Sequence, residues 1–166
     1  MPRKRNRWQW VRQSYQPTVN ATLMNVDALS GYRTAAGITI NLPEITIWRV
    51  RLRISIKVTI AAALAANDGV MVSVFTEGQS VTPLNQVSNP LDQRDMLSSM
   101  LYLSEPCMTG AATGAAGTFY LYKEYDIKAH RRLQSAQDTL FVQLASSGQV
   151  QIADVSFSQS ILLKVA

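Results

Sequence analysis

The residues of this chain whose types and spacing could do chemistry are mainly cations. Arg49, Arg51, Arg53 and Lys57 fall within the stretch WRVRLRISIKV, Trp48 to Val58, where they alternate with Val50, Leu52, Ile54, Ile56 and Val58. On an extended strand successive side chains point to opposite faces. The pattern therefore gives one apolar face, headed by Trp48, and one cationic face. Neighbours on one face of a strand stand only about 7 Å apart, so a row of three guanidinium groups needs an answering negative charge. Two sources fit: carboxylates from adjacent strands on an ordinary solvated face, or the phosphates of a nucleic acid. A second set of cations, Arg3, Lys4, Arg5, Arg7 and Arg12, lies in MPRKRNRWQWVR with no acid among them. A block of like charge repels itself unless an anion neutralises it. Trp8 and Trp10 lie inside that block, and their apolar area needs a place to dock, either stacked on bases or packed under a neighbouring subunit.

Catalytic chemistry finds little to work with. The chain has one histidine, His130, and one cysteine, Cys107. No intrachain disulfide can form, and a Cys/His zinc site lacks ligands. Cys107 has no basic neighbour in sequence to hold it as a thiolate and reads as a structural thiol. His130 adjoins Arg131 and Arg132 and reads as a polar surface or interface residue. Glu124 and Asp126 share a face of a predicted strand but are flanked by Lys123 and Lys128, which describes a surface charge cluster rather than an acid pair. CMTGAATGAAGT lacks the lysine of a phosphate-binding loop. The expectation is a protein that is not an enzyme and takes no metal or cofactor.

The elements that must position the cations follow from periodicity. The chain has 166 residues and is 47% hydrophobic, enough for one domain with a real core. No apolar run reaches the roughly 18 residues that span a bilayer, so membrane insertion is not expected. Five of the 16 basic residues lie in the first twelve positions, which leaves 11 basic against 11 acidic groups in the rest. The positive charge thus belongs to a tail on a neutral domain. Ile45 to Ile60 alternates for 16 residues, AANDG makes a turn, and VMVSVFT follows as a strand, so these segments are expected to form a hairpin. LDQRDMLSSMLYL, Leu91 to Leu103, has helical spacing and an Asn-Pro start, and predicts one helix. TFYLYKEYDIKA, DTLFVQLA, QVQIADVSF and SQSILLKVA read as four further strands, the last tying the end of the sequence into a sheet. Strands without regular helical alternation exclude a doubly wound parallel sheet and leave an antiparallel β-sandwich, of which the jelly roll is the eight-stranded form.

Several segments together resemble the capsid proteins of small circular single-stranded DNA viruses, the genomovirus-like and geminivirus-like groups above all. Thr46, Arg49 and Arg51 match the "T-hydrophobic-x-R-x-R" strand that leads the domain in that family. Asp126, Lys128, Arg131, Arg132, Leu133, Asp138 and Leu140 match a late segment of the "D-hydrophobic-K-x-x-R-R/K-L" type and the strand after it. The chain departs from the family in being short, with a brief arm. The resemblance implies a jelly-roll shell protein, an icosahedral particle of copies of itself, and a packaged single-stranded DNA.

The expected architecture is all-β: a basic arm over residues 1–17 and a single jelly-roll antiparallel β-sandwich over 18–166, with one short helix in a connection. The expected function is a capsid protein that builds a small shell of about sixty copies and holds its genome through Arg3, Lys4, Arg5, Arg7, Trp8, Trp10 and Arg12 of the arm and Arg49, Arg51, Arg53 and Lys57 of the inner wall. Its place would be the virion, and the host cell during assembly, with PRKRNR as a possible nuclear import signal. A host receptor is expected, of chemistry the residues do not specify. The alternative is a non-capsid β-barrel module that binds single-stranded nucleic acid. Such a module would interleave aromatics with its basic strand face, and this strand has none.

Overall fold

Eight strands form among the residues that the computed structural model describes, which are 8–17, 23–30, 32, 45–61, 68–77, 100–103, 116–133, 139–147 and 149–165. They are β1 (Gln9–Tyr15), β2 (Leu23–Asp27), β3 (Ile45–Ile60), β4 (Gly69–Glu77), β5 (Met100–Leu103), β6 (Gly117–Leu133), β7 (Thr139–Ser147) and β8 (Val150–Val165). Two four-stranded antiparallel sheets result, ordered β1-β8-β3-β6 and β2-β7-β4-β5. The pairing is nested: β1 with β8, β2 with β7, β3 with β6, β4 with β5. A chain doubled back on itself makes those four pairs. Rolling the doubled ribbon adds β3 beside β8 and β4 beside β7 and splits it into two sheets. That is a jelly roll, the fold class expected from the sequence.

The sandwich core is what the alternation encodes. Val50, Leu52, Ile54, Ile56 and Val58 of β3 face Val70, Val72 and Val74 of β4 and Leu140, Val142 and Leu144 of β7, all at most 1% exposed. Burying each such side chain stabilises the fold by about 1.5–3 kcal/mol relative to leaving it in water.

Five expectations are corrected here. First, β3 and β4 are not a hairpin: they lie in different sheets, and the connection between them crosses from one layer to the other. The edge that a hairpin would have given β3 is taken by β6 and β8. Second, the end of the predicted helix is a strand. Met100–Leu103 pairs with β4, Ser73 opposite Leu103 and Val74 opposite Tyr102, because the open edge of β4 offers backbone partners that outweigh a helical spacing of Leu and Met. Residues 91–99 and Cys107 lie outside the described residues.

Third, Trp48 does not head the core face. It is 44% exposed. The register slips between Ile47 and Arg49 against both β6 and β8, and such a bulge flips the side-chain parity. Ile45 and Ile47 are buried before it, Val50 and Leu52 after it. His130 on β6 has a positive φ of 46°, and its ring lies tilted against that of Trp48 at 3.7 Å between ring centroids. Fourth, the stretch read as arm up to residue 17 contains β1: Gln9–Tyr15 pairs along β8 from Gln9 opposite Leu163 to Tyr15 opposite Phe157. Fifth, QVQIADVSF and SQSILLKVA are one strand, β8, which bulges near Ala153 and keeps its core face through Val155, Phe157, Ile161 and Leu163.

One polar node fastens the edge strand to the opposite layer. Gln159 of β8 is 2% exposed. Its Nε2 donates to the carbonyl of Ala28 and to the Tyr15 hydroxyl at 3.3 Å, and that hydroxyl donates to the same carbonyl at 3.3 Å. Burial, and then the nearby charge of Asp27, push the Tyr15 phenol up to about 12. Asp27 accepts from the Leu29 amide at 2.9 Å and from the Thr139 hydroxyl, fixing the turn that follows β2 against β7. Gln159→Leu keeps the volume and deletes the donor. The Ala28 carbonyl keeps the Tyr15 hydroxyl as a donor, and the substitution also removes the buried Gln159 Oε1, which has no partner among the described residues. It is therefore expected to cost about 1 kcal/mol or less, the net value of one hydrogen bond, read as a slightly lower urea midpoint with an unchanged slope.

Candidate nucleic-acid interface

The outward face of the β1-β8-β3-β6 sheet carries the cations that the sequence singled out, and the strand registers arrange them in rows. Trp10, Leu162, Arg49 and Lys128 make one row across the four strands. Arg12, Ser160, Arg51 and Asp126 make the next, and Ser14, Ser158, Arg53 and Glu124 the third. Ser156, Ser55 and Tyr122 follow, then Asp154, Lys57 and Tyr120. These five rows hold six cations and three carboxylates, and a further row on the same face, Lys164, Thr46 and Arg132, adds two more cations.

The carboxylates answer the arginines directly. Arg49 grips Asp126 with two nitrogens, Nε on Oδ1 and a terminal nitrogen on Oδ2 at 2.6 Å. Arg51 reaches the same carboxylate through Nε at 3.3 Å, and Arg53 reaches Glu124 through Nε at 3.1 Å. Hydrogen bonding from Arg49 holds the Asp126 carboxyl below the usual carboxylate range and raises the Arg49 guanidinium in turn. So the β3 face is in part the carboxylate-paired surface that was one of its two readings, and Glu124 with Asp126 is the surface charge cluster expected. These pairs are exposed, with the Arg53 side chain 67% accessible. Exposed ion pairs contribute little and are readily exchanged, and a guanidinium bound through one nitrogen keeps further donors for a second acceptor.

The expected scarcity of aromatics fails on β3 itself, where Trp48 points outward beside Arg49, and fails across the sheet. Trp10 lies over Arg51, 5.0 Å from the guanidinium carbon to the ring centroid, a cation–π contact. Tyr120 and Tyr122 are the most exposed large hydrophobic residues described, at 73% and 61%. The Tyr122 hydroxyl donates to Glu124 at 2.7 Å, and that bond raises its pKa. Trp8 meets Trp48 edge-on at 5.6 Å, so the two arm tryptophans dock on the sheet of their own subunit, around Trp48 and Arg51. The signal for this interleaving was present in sequence, since Tyr120, Tyr122, Glu124 and Asp126 share a parity with each other. Only the register could show that this parity faces the arginines. Arg3, Lys4, Arg5 and Arg7 lie outside the described residues.

Asp126 competes with any external anion for Arg49 and Arg51. Asp126→Asn is therefore expected to raise affinity for a single-stranded oligonucleotide several-fold at low salt, with the slope of log K against log salt steeper by about 1–2. An unchanged slope in a salt titration would mean that the two arginines do not meet phosphate.

No protein-family model matches the chain, and no curated protein matches it. Solved structures with a similar fold include the coat protein of Tobacco streak virus, at 12% identity over 92% of this chain and 85% of that one, TM-score 0.31. A semi-empty virus-like particle of the Macrobrachium rosenbergii nodavirus has 9% identity over 100% and 88%, TM-score 0.31. The Israel acute paralysis virus pentamer has 7% identity over 95% and 86%, TM-score 0.30. At these scores the likeness carries no weight for function, and the jelly roll rests on the strand pairing itself.

Proposed function

We propose that this chain is a viral capsid protein that assembles copies of itself into a closed icosahedral shell of about sixty subunits and packages a single-stranded genome. The observation that carries the reading is one sheet. The strand that continues the basic arm, β1, pairs into the same sheet whose outward face holds Arg12, Arg49, Arg51, Arg53 and Lys57. The basic segment therefore leads in sequence directly into the layer that carries this face. The resemblance in Thr46, Arg49, Arg51 and Asp126 to Leu140 favours DNA as the genome and the virion as the site of action, and PRKRNR read as an import signal favours the host nucleus as the site of assembly. The role is structural, with Arg3, Lys4, Arg5 and Arg7 neutralising phosphates by charge, so binding is indifferent to base sequence and steeply salt-dependent.

The aromatic side chains on the basic face favour a second reading, a single-strand-binding module that forms no shell. Light scattering of the purified chain with nucleic acid supplied separates the two. A shell is expected to scatter as a particle tens of nanometres across, a module as one of a few nanometres. A monodisperse monomer or dimer at high protein concentration would reject the capsid reading.

A further inference from the structure

The outward face of the first sheet is not flat. Two adjoining concavities lie along β8 between β1 and β3. One, of about 570 Å³, is lined by Arg12, Arg51, Arg53, Ser14, Ser158 and Ser160, among others. The other, of about 510 Å³, is lined by Arg53, Ser14, Ser55, Ser156, Ser158 and Tyr122, among others. They share Ser14, Arg53 and Ser158 and so form one trough. Among the described residues, no carboxylate lines either part. The floor is a serine row, Ser156, Ser158 and Ser160, at alternate positions of β8. Such positions repeat about every 7 Å along a strand, a spacing comparable to that of successive phosphates in an extended single strand. Hydroxyls and guanidinium groups are both donors to phosphate oxygens.

We propose that this trough binds the sugar-phosphate backbone of a single strand, with Tyr122 stacking on a base at its end. The site deepens the nucleic-acid reading above and rests on it. The walls are β1 and β3, two strand spacings or about 10 Å apart, which seats one chain and excludes a duplex. Arg12 and Arg53 hold the phosphates from opposite walls. Arg51 is held in place under Trp10. Glu124 binds both Arg53 and the Tyr122 hydroxyl and so sets the ring beside the phosphate-binding groups. A duplex hides its base faces in the stack, whereas a single strand offers them to Tyr122. The trough thus selects single strands by shape and stacking, and it does so without the basic arm.

The test uses the full chain with Arg3, Lys4, Arg5 and Arg7 all replaced by Gln, titrated against a labelled oligothymidylate of about 16 nucleotides and a duplex of the same length. The expected result is binding of the single strand about tenfold tighter than the duplex. In that background Tyr122→Leu should weaken the single strand about tenfold and leave the duplex unchanged. Arg12→Gln with Arg53→Gln should weaken the single strand and flatten its salt slope by about two. Tyr122 is exposed, so its replacement should leave the fold intact, with equal thermal melts as the control. Equal affinity for single strand and duplex, or a Tyr122→Leu variant that binds as before, would overturn the trough. Failure of the unsubstituted chain to form particles would overturn the capsid reading and leave the oligonucleotide result standing.

Discussion

Replacing Leu52 or Ile54 by Ala is expected to cost about 2–5 kcal/mol of stability, whereas replacing Arg49, Arg51 and Arg53 together by Gln should leave the urea midpoint nearly unchanged. The five residues alternate on one strand. Leu52 and Ile54 are at most 1% exposed and sit between the two sheets, where truncation leaves a cavity that packed strands on either side cannot close. The arginines lie on the outward face in exposed pairs with Asp126 and Glu124. Gln keeps most of the side-chain length and the strand register while removing charge. The triple substitution should act on nucleic acid instead, lowering affinity and flattening the salt slope. A triple-Gln chain that lost as much stability as Ile54→Ala would mean that the ion pairs hold β3 to β6, and the purpose of the cationic face would then be structural.

The contrast shows how far the strand was legible as sequence. Its length, its two faces and the identity of the core side follow from alternation alone, because period 2 is a direct image of strand geometry. Sandwich class and jelly roll followed by exclusion. Partner identity did not follow. Nothing local in VMVSVFT says that it joins Thr139–Ser147 rather than Ile45–Ile60, since strand pairing is a long-range choice among similar apolar faces. The same gap hid the answering carboxylates: Glu124 and Asp126 were visible as a pair, but their partners are set by the β3–β6 register. Trp48 is a different kind of miss. In ITIWRVRL the apolar positions run 45, 47, 48, 50 and 52, so the phase change was written in the sequence. It reads as a bulge only once Ile45 and Ile47 are weighed as core residues, and Trp48 then points outward. Met100–Leu103 was read by helical spacing, a weak prior that the open edge of β4 overrides.

Removal of residues 2–7 and removal of residues 2–12 are expected to give opposite kinds of failure, because the boundary between tail and sheet falls between them. The shorter deletion takes away Arg3, Lys4, Arg5 and Arg7 and none of the residues of β1. Folding and melting temperature should be unchanged. The longer one also removes Gln9 to Arg12, leaving the backbone of β8 from Ser160 to Leu163 without its partner. It discards Val11, which packs against the core, and Trp10, which covers Arg51. An exposed, flat edge of that length invites pairing between chains, so this variant should aggregate rather than assemble. Charge sets the size of the effect in the shorter deletion. With about sixty copies, four arm cations each supply roughly 240 positive charges, and the excess of five cations on each sheet face roughly 300. Nucleic-acid content per particle, read from the ultraviolet absorbance ratio, should therefore fall by roughly half rather than to nothing. Particles with full nucleic-acid content would remove the arm from the packaging role. Empty particles would instead show that the sheet face, for all its arginines, holds no genome once its own carboxylates have been counted against it.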